Sequence, residues 1–370
     1  METCFNPQKK LGFGCMRLPM KDGEIDTEHF SRMVDAFLAA GFNYFDTAHG
    51  YHGGKSETAL KTCLTSRYSR NRYLLANKLS PPHFTKEEEI RPLFESQLTL
   101  CGVEYFDFYL MHAQNAAIFE KFKSCRAYET ALSLKSEGKI RHFGISFHDK
   151  AAVLARILSE YPQIEFVQIQ FNYMDYEDAS IESRKVYEVC REFEKPIIVM
   201  EPVKGGSLAK LPPEATAVFD TLGGSSASYA IRFAASFPGI MTVLSGTSDM
   251  DMLTDNIGYM RDFKPLNETE KSAVARVRAI LRAQNTIPCT GCKYCIERCP
   301  KNIPIPELFA CLNEKNTFHN WLPGYYYDVH TQFSGKPSDC IRCGLCEESC
   351  PQHLPIRELL SDVSAVFDEK

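Results

Sequence analysis

Short apolar runs alternate with amphipathic stretches of helical spacing from about residue 25 to residue 260, and this alternation limits the fold of the 370-residue chain more than any other feature. Runs suited to buried strands occupy residues 11–16, 43–46, 73–78, 106–112, 140–146, 166–170, 197–201 and 240–245. The intervening spacing is helical. In residues 27–40, Phe30, Met33, Val34, Phe37 and Leu38 fall on one stripe, and Gly41 follows where a left-handed helix end is favoured. Alternating strand and helix implies a parallel sheet with right-handed crossovers. Eight such units within about 260 residues fit an α/β fold of the closed (β/α)8 TIM barrel kind better than an open doubly wound sheet. The glycine fingerprint of the open sheet is also incomplete, since Gly12-Phe13-Gly14 lacks the third glycine and the following helix. Barrel chemistry sits at the C-terminal ends of the strands, so those positions carry the functional question.

The chain is long enough for one large domain and a small module. Its cysteines mark the module: six fall in residues 1–288 and nine in residues 289–370. Nothing signals export, so metal binding explains the density better than disulfides. Cys289, Cys292, Cys295 and Cys299 form C-x2-C-x2-C-x3-C-P, and Cys340, Cys343, Cys346 and Cys350 repeat it without deviation. Three thiolates two residues apart can wrap one corner of a cubane, whereas structural zinc needs neither the third cysteine at that spacing nor the Cys-Pro ending.

This tail resembles the bacterial two-cluster ferredoxins over about 65 residues. The helical insert at residues 306–316 makes it more similar to the α-helical ferredoxin variant than to the compact β form. The resemblance implies two [4Fe–4S] clusters, with the fourth cysteine of each run serving the other cluster. One set is then Cys289, Cys292, Cys295 and Cys350, and the second Cys340, Cys343, Cys346 and Cys299. Cys311 reads as a buried small apolar residue. The expected division is a barrel over residues 1–265, a connecting helix over 266–287, and a small, mainly helical dicluster ferredoxin-like domain over 288–370.

Composition excludes several alternatives. Hydrophobic residues at 44% and charged residues at 24% are those of a globular chain rather than a disordered or fibrous one. Lys plus Arg at 42 against Asp plus Glu at 47 gives −5 with no basic run, so no nucleic-acid partner is expected. No apolar stretch approaches the roughly 18 residues of a membrane helix, and residues 1–20 lack a signal-peptide core. The expectation is a cytoplasmic protein with no membrane partner.

Four titratable residues stand at or just beyond successive strand ends: Asp46, Tyr51, Lys78 and His112. A tyrosine with a normal pKa near 10 is a poor acid at neutral pH. A neighbouring ammonium is expected to lower that pKa, with a carboxylate holding the ammonium in place. The phenol can then protonate a carbonyl oxygen while hydride arrives at carbon, and His112 orients the carbonyl or shares the proton relay. His49, His52, His142 and His148, near the expected mouth, read as surface-loop residues.

The constellation resembles the aldo-keto reductase family over about residues 10–262, and its Asp–Tyr–Lys–His tetrad matches Asp46, Tyr51, Lys78 and His112. The family's Gly-Val-Ser-Asn after the fifth strand is similar to Gly144-Ile145-Ser146-Phe147. The resemblance implies that Ser146 and Gln168 bind a nicotinamide carboxamide, whereas Phe147 has no hydrogen-bonding side chain. Met200 stands where the family stacks an aromatic on the nicotinamide. Ser245, Gly246 and Thr247, followed by Asp255 and Asn256, resemble the cofactor-phosphate segment, with backbone amides at the following helix start available to the pyrophosphate. Gly246 and Met252 replace the Lys and Arg that many members place on the 2′-phosphate, which leaves NADP and NAD both open. The implied function is an NAD(P)H-linked oxidoreductase acting on a small-molecule carbonyl substrate, its clusters relaying electrons to a redox partner protein or serving as structural or sensory elements. The alternative is an electron-transfer or redox-sensing protein whose barrel binds nicotinamide without efficient carbonyl reduction. A flavin would convert two-electron to one-electron transfer, but no flavin motif indicates one.

Overall fold

The computed structural model describes residues 7, 9–178, 181–283, 287, 289, 293–318, 321–350 and 354–368. Eight parallel strands close a barrel: β1 (Leu11–Gly14), β2 (Tyr44–Asp46), β3 (Leu74–Leu79), β4 (Phe106–Gln114), β5 (Ile140–Phe147), β6 (Phe166–Gln170), β7 (Ile197–Met200) and β8 (Ile240–Ser245). Each pairs with its neighbours in the chain, and β1 pairs with β8 to complete the ring. All eight expected strands are present, with limits within two residues of those read from the sequence. A two-stranded hairpin, Met20–Lys21 with Glu24–Ile25, lies between β1 and the first helix.

Side chains alternate across each strand, and the register converts that alternation into layers. Tyr44, Ala76, Phe108, Leu110, Phe166, Ile198 and Leu244 form one buried interior cluster. Their odd-numbered neighbours, such as Phe13, Phe45, Leu75, Tyr109, Phe143, Val167, Val199 and Val243, face outward into the layer shared with the helices. The interior is a plug, not a channel. Two residues beyond it along the strands come Asp46, Lys78, His112, Ser146, Gln168 and Met200, so the same period that fills the barrel places a polar layer at its C-terminal end.

The first helix, Thr27–Ala39, shows how the surrounding layer is specified. Asp26 Oδ1 accepts the His29 amide at 2.9 Å, capping the helix start. Phe30, Met33, Val34, Phe37 and Leu38 form its buried stripe, and Gly41 adopts a φ of +84° just past its end.

The chain divides into two compact units. One runs to Glu177 and takes in Ile181–Val203 and Gly224–Lys271; the other gathers Asp178, Lys204–Gly223 and the chain from Ser272 onward. The second unit therefore begins inside the helix Glu268–Arg282 rather than at a linker, and it includes the segment that follows β7. Its own core is built from Ile303, Ile305, Leu308, Phe309, Leu312, Leu322, Ile356, Leu360 and Val363. The helices are Tyr294–Glu297, Ile305–Phe318, Leu322–Thr331, Leu345–Glu348 and Ile356–Phe367.

Gly144 marks the tightest point of the barrel wall. A β-carbon there would stand 2.6 Å from the Phe166 ring and 2.7 Å from the Phe166 carbonyl oxygen. The carbonyl belongs to a paired strand and cannot retreat. The Gly144→Ala substitution is expected to destabilise the barrel by about 1–3 kcal/mol or more, seen as a lower denaturation midpoint; an unchanged midpoint would mean that β5 and β6 are spaced more widely.

Candidate active site

The strand ends bring the four titratable residues together. Lys78 is fully buried and donates from Nζ to Asp46 Oδ1 at 2.6 Å, to the Thr47 carbonyl at 2.8 Å and toward Tyr51 Oη at 3.5 Å. All three ammonium protons are thus directed, one of them at the phenol. Burial works against the charge on Lys78, but Asp46 and Tyr51 more than offset it and its pKa is raised. Burial pushes the Asp46 carboxyl up, with Lys78 pulling it back. Tyr51 corrects the expectation drawn above. Burial raises the phenol pKa, and the opposing pull of Lys78 only partly compensates, so the net shift is upward. The phenol is held in its acid form.

His112 lies 6.2 Å from Tyr51 between ring centroids, edge to face. Its Nδ1 is 2.7 Å from Ser80 Oγ, which leaves Nε2 for a substrate. Burial, reinforced by Lys78, His148 and His83, lowers its pKa well below the usual histidine range, so the ring is neutral.

The remaining site residues separate into two groups. Ser146 Oγ accepts the Ala113 amide at 2.8 Å and keeps its own proton to donate. Gln168 contacts Met200, Nε2 to Sδ at 3.7 Å, and its Oε1 is buried without a partner. Ser245 Oγ accepts from Asn256 Nδ2 at 2.9 Å, and Thr247 Oγ1 is buried without a partner beside Gly246. Asp255 turns elsewhere: its Oδ2 accepts from Ser225 Oγ at 2.6 Å, next to the start of the helix Ser226–Ala235. Phe147 faces the outer core. The helix Met250–Met260 carries Asp249 as its cap, Oδ1 accepting the Met252 amide at 2.8 Å. The cap takes up one of the amides at that helix start.

Three buried polar atoms near the strand ends have no hydrogen-bond partner. They are Asp46 Oδ2, Gln168 Oε1 and Thr247 Oγ1, and each belongs to a strand end or the loop after it. Buried polar atoms are costly to leave unpaired, by about 1–3 kcal/mol each, and these three would suit a ligand rich in hydrogen-bonding groups.

Residues 10–279 match the Aldo/keto reductase family and residues 288–354 match a 4Fe-4S dicluster domain. The chain belongs to the aldo/keto reductase family. An uncharacterised oxidoreductase of Schizosaccharomyces pombe is 24% identical over 264 residues, 67% of this chain and 80% of that protein. The NADH-specific methylglyoxal reductase of Escherichia coli is 26% identical over 223 residues, 54% of this chain and 65% of its own length, just under two thirds. An aldo-keto reductase from Klebsiella pneumoniae, solved in complex with NADPH, superposes with a TM-score of 0.57 at 18% identity, over 73% of this chain and 90% of that one, which is a likeness of fold. This aldo/keto reductase is an oxidoreductase with an iron–sulfur module. No helix among its described residues is long and apolar enough to cross a membrane.

In the module, Cys299, Cys340, Cys343 and Cys346 line one cavity, together with Ile303, Ile305, Leu360 and Arg357. That grouping unites three cysteines of the second run with the fourth of the first. Cys289, Cys295 and Cys350 are partly or fully buried beside the same core, Cys292 lies outside the described residues, and Cys311 is a buried thiol whose pKa is raised by burial and nearby Glu314. Among the described residues no three acidic, thiol or imidazole groups stand close enough to chelate a single ion. Four thiols around a cavity suit a cubane, whose metal atoms bind one thiolate each.

Several neighbours of this site escaped the sequence reading. Glu57 is fully buried on the helix Lys55–Leu60 and meets His49 Nδ1 at 2.7 Å. Its signal was a charged residue on an apolar helical stripe beside Leu60. Arg17 packs its stem within 3.7–3.9 Å of the Gly246 β-position and sets Nη2 4.0 Å from Glu201. Of the four histidines expected in surface loops, His49, His52 and His148 lie in loops and are part-exposed, and His142 alone departs from that expectation. His49 pairs with Glu57, and His52 accepts the Leu18 amide at 3.0 Å on Nε2. His148 is lowered to about 4 by burial. His142 sits at the opposite end of β5, its ring tilted against Phe108 and its Nδ1 3.2 Å from Glu165.

Removing one member of the buried pair leaves the other uncompensated. The Lys78→Met variant is expected to lose about 3–5 kcal/mol of stability, and adding Asp46→Asn to recover part of it, as read from denaturation midpoints. Equal loss in the single and double variants would show that the two charges do not stabilise each other.

Proposed function

We propose that this aldo/keto reductase uses NADPH or NADH to reduce a small aldehyde or ketone at the C-terminal end of its barrel. The observation that carries the reading is the buried Lys78 ammonium, fixed by Asp46 and Thr47 and aimed at the Tyr51 phenol. Bound nicotinamide would supply a hydride to the carbonyl carbon. Tyr51 donates its proton to the carbonyl oxygen as the alcohol forms, and Lys78 stabilises the phenolate until water reprotonates it. His112, neutral and tied to Ser80 through Nδ1, presents Nε2 to the same oxygen and orients the carbonyl.

The orphaned atoms fit the dinucleotide. Gln168 Oε1 can accept from the carboxamide and Ser146 can donate to it, while Met200 packs a thioether against the ring. Ser245, Gly246, Thr247 and Asn256 line the phosphate side, and Arg17 offers beside Gly246 the positive charge that Gly246 and Met252 lack. Asp255 accepts from Ser225 through Oδ2, which leaves Oδ1 for the cofactor side.

The eight motif cysteines hold two [4Fe–4S] clusters in this reading, and the pairing of Cys299 with Cys340, Cys343 and Cys346 around one cavity supports the shared-ligand arrangement. Such centres pass single electrons, so they serve exchange with a redox partner protein rather than the hydride step itself. Thiols kept reduced for clusters suit the cytoplasm.

Tyr51→Phe is expected to lower kcat/KM for carbonyl reduction by about 10²- to 10⁴-fold with the fold intact. In the wild type the raised Tyr51 pKa and lowered His112 pKa imply a level rate across the neutral range, falling only on the alkaline side as the phenol ionises. Unchanged reduction in the phenylalanine variant would dismiss the tyrosine as acid. For the module, Cys340→Ser is expected to reduce iron from about eight to about four or fewer atoms per chain in anaerobic preparations, and Cys311→Ser to leave it unchanged. Loss of iron on Cys311→Ser would make it a ligand.

A further inference from the structure

Two of the site residues are each followed by a bend in the left-handed region. Ala113 follows His112 with a φ of +54°, and Glu201 follows Met200 with a φ of +55°. Neither is glycine, and a side chain in this region costs about 1–2 kcal/mol. Each bend is held by a polar side chain from the adjacent strand or the loop after it. Ser146 Oγ accepts the Ala113 amide at 2.8 Å, and Asn172 Nδ2 donates to the Glu201 carbonyl at 3.1 Å. Ser146 faces the carboxamide in the reductase reading. Asn172, two residues past β6, takes no part in the hydride or proton step.

The Asn172 amide has no polar capacity to spare. Its Oδ1 accepts the amides of Met174 and Asp175, both at 3.0 Å, and Nδ2 also donates to Asp175 Oδ2 at 2.6 Å. Both lone pairs and both protons are thereby used, so the orientation of the group is fixed. Gln170 Nε2 donates to the same Asp175 oxygen at 2.6 Å, and Gln170, Asn172 and Asp175 are all buried. A buried network satisfied in this way is rigid. Of the bonds Asn172 makes through its side chain, the one to Glu201 alone leaves the loop after β6.

The bend at Glu201 decides where two groups of the cofactor site stand. It follows directly on the end of β7 at Met200, whose Sδ lies 3.7 Å from Gln168 Nε2. It also turns Glu201 so that Oε1 comes within 4.0 Å of Arg17 Nη2, and the Arg17 stem lies 3.7–3.9 Å from the Gly246 β-position. The ring side and the phosphate side thus meet at one strained residue. Glycine would take this conformation freely, whereas glutamate depends on the bond from Asn172.

We propose that Asn172, oriented by Asp175, is a positioning residue for the nicotinamide dinucleotide, holding the Met200–Glu201 bend in the conformation that binds it. The proposal rests on the reductase reading, in which Met200 and Arg17 face the cofactor. Without Asn172 the bend relaxes toward ordinary backbone, the binding-competent population shrinks, and the apparent affinity falls in proportion. Release of the left-handed penalty corresponds to a loss of about tenfold.

Calorimetric titration of the full chain, purified anaerobically, with NADPH and with NADH tests it. Asn172→Ala is expected to raise the dissociation constant of whichever dinucleotide the wild type binds by about tenfold. Glu201→Gly removes the ion pair to Arg17 but also the strain. In that background Asn172→Ala is expected to raise the constant by less than about twofold. A residue that served only general stability would cost the same factor in both backgrounds. A tenfold loss that glycine does not relieve therefore overturns the proposal, as does an unchanged constant in Asn172→Ala. If Asn172→Ala does not fold, the isosteric Asp175→Asn decides: a rise of about threefold, relieved by Glu201→Gly, supports the positioning role, and no rise or an unrelieved one overturns it. A wild type that binds neither dinucleotide overturns the reductase reading together with this one, whereas failure in the variants alone leaves that reading in place.

Discussion

The Asp46–Lys78 pair is the interaction around which the barrel's catalytic end is organised. An ammonium at the end of β3 with no exposed surface is tenable only if every proton finds an acceptor. Asp46 and the Thr47 carbonyl, consecutive residues at and just past the end of β2, supply two of them, and the third proton points at Tyr51. Burial that would be a liability elsewhere sharpens the effect here, because the field of a desolvated ammonium is little screened. The phenol is pushed toward its acid form by the same burial, and Lys78 opposes that shift. The result is a proton retained at neutral pH beside a charge ready to receive the phenolate.

Much of this follows from a period of two. Once Tyr44, Ala76, Leu110, Phe166 and Ile198 fill the interior, Asp46, Lys78, His112, Gln168 and Met200 must face the same way one pleat higher. The apolar plug also closes the barrel beneath them, so a ligand can approach only from the C-terminal end. The fold and the site are in this sense one pattern read at two heights.

That is why both were legible in the sequence. Strands, strand ends and cysteine motifs are local patterns, and each was recoverable from spacing within a dozen residues. Tertiary partners were not. Nothing near Glu57 in the chain announces His49, eight residues away across a left-handed turn at His52–Gly54. Arg17 and Gly246 lie on the first and last strand loops and meet because the barrel closes. The cap that Asp249 places on the helix after β8 is likewise a contact that only the folded chain shows. His142 was misplaced because distance along a strand, two residues from its start rather than its end, decides which face of a barrel a residue serves. The sign of the Tyr51 shift escaped as well, since burial is a property of the folded chain.

The cluster module repeats a local solution twice. A residue in the left-handed conformation, Lys293 at φ 69° and Gly344 at φ 84°, precedes each short helix, which carries Cys295 or Cys346 in its first turn. The chain then closes on Cys299 and Cys350, whose amides donate to the carbonyls of Ile296 and Glu347. Glycine takes this conformation without strain, whereas lysine does so at a cost of about 1 kcal/mol, here alongside an ion pair to Glu307 at 3.1 Å. Reduction in the barrel closes its balance with one hydride and one proton, both accounted for without a single-electron step. On the proposed reading, the module's electrons therefore belong to a different exchange from the carbonyl's, and the two centres of this chain are chemically complete apart.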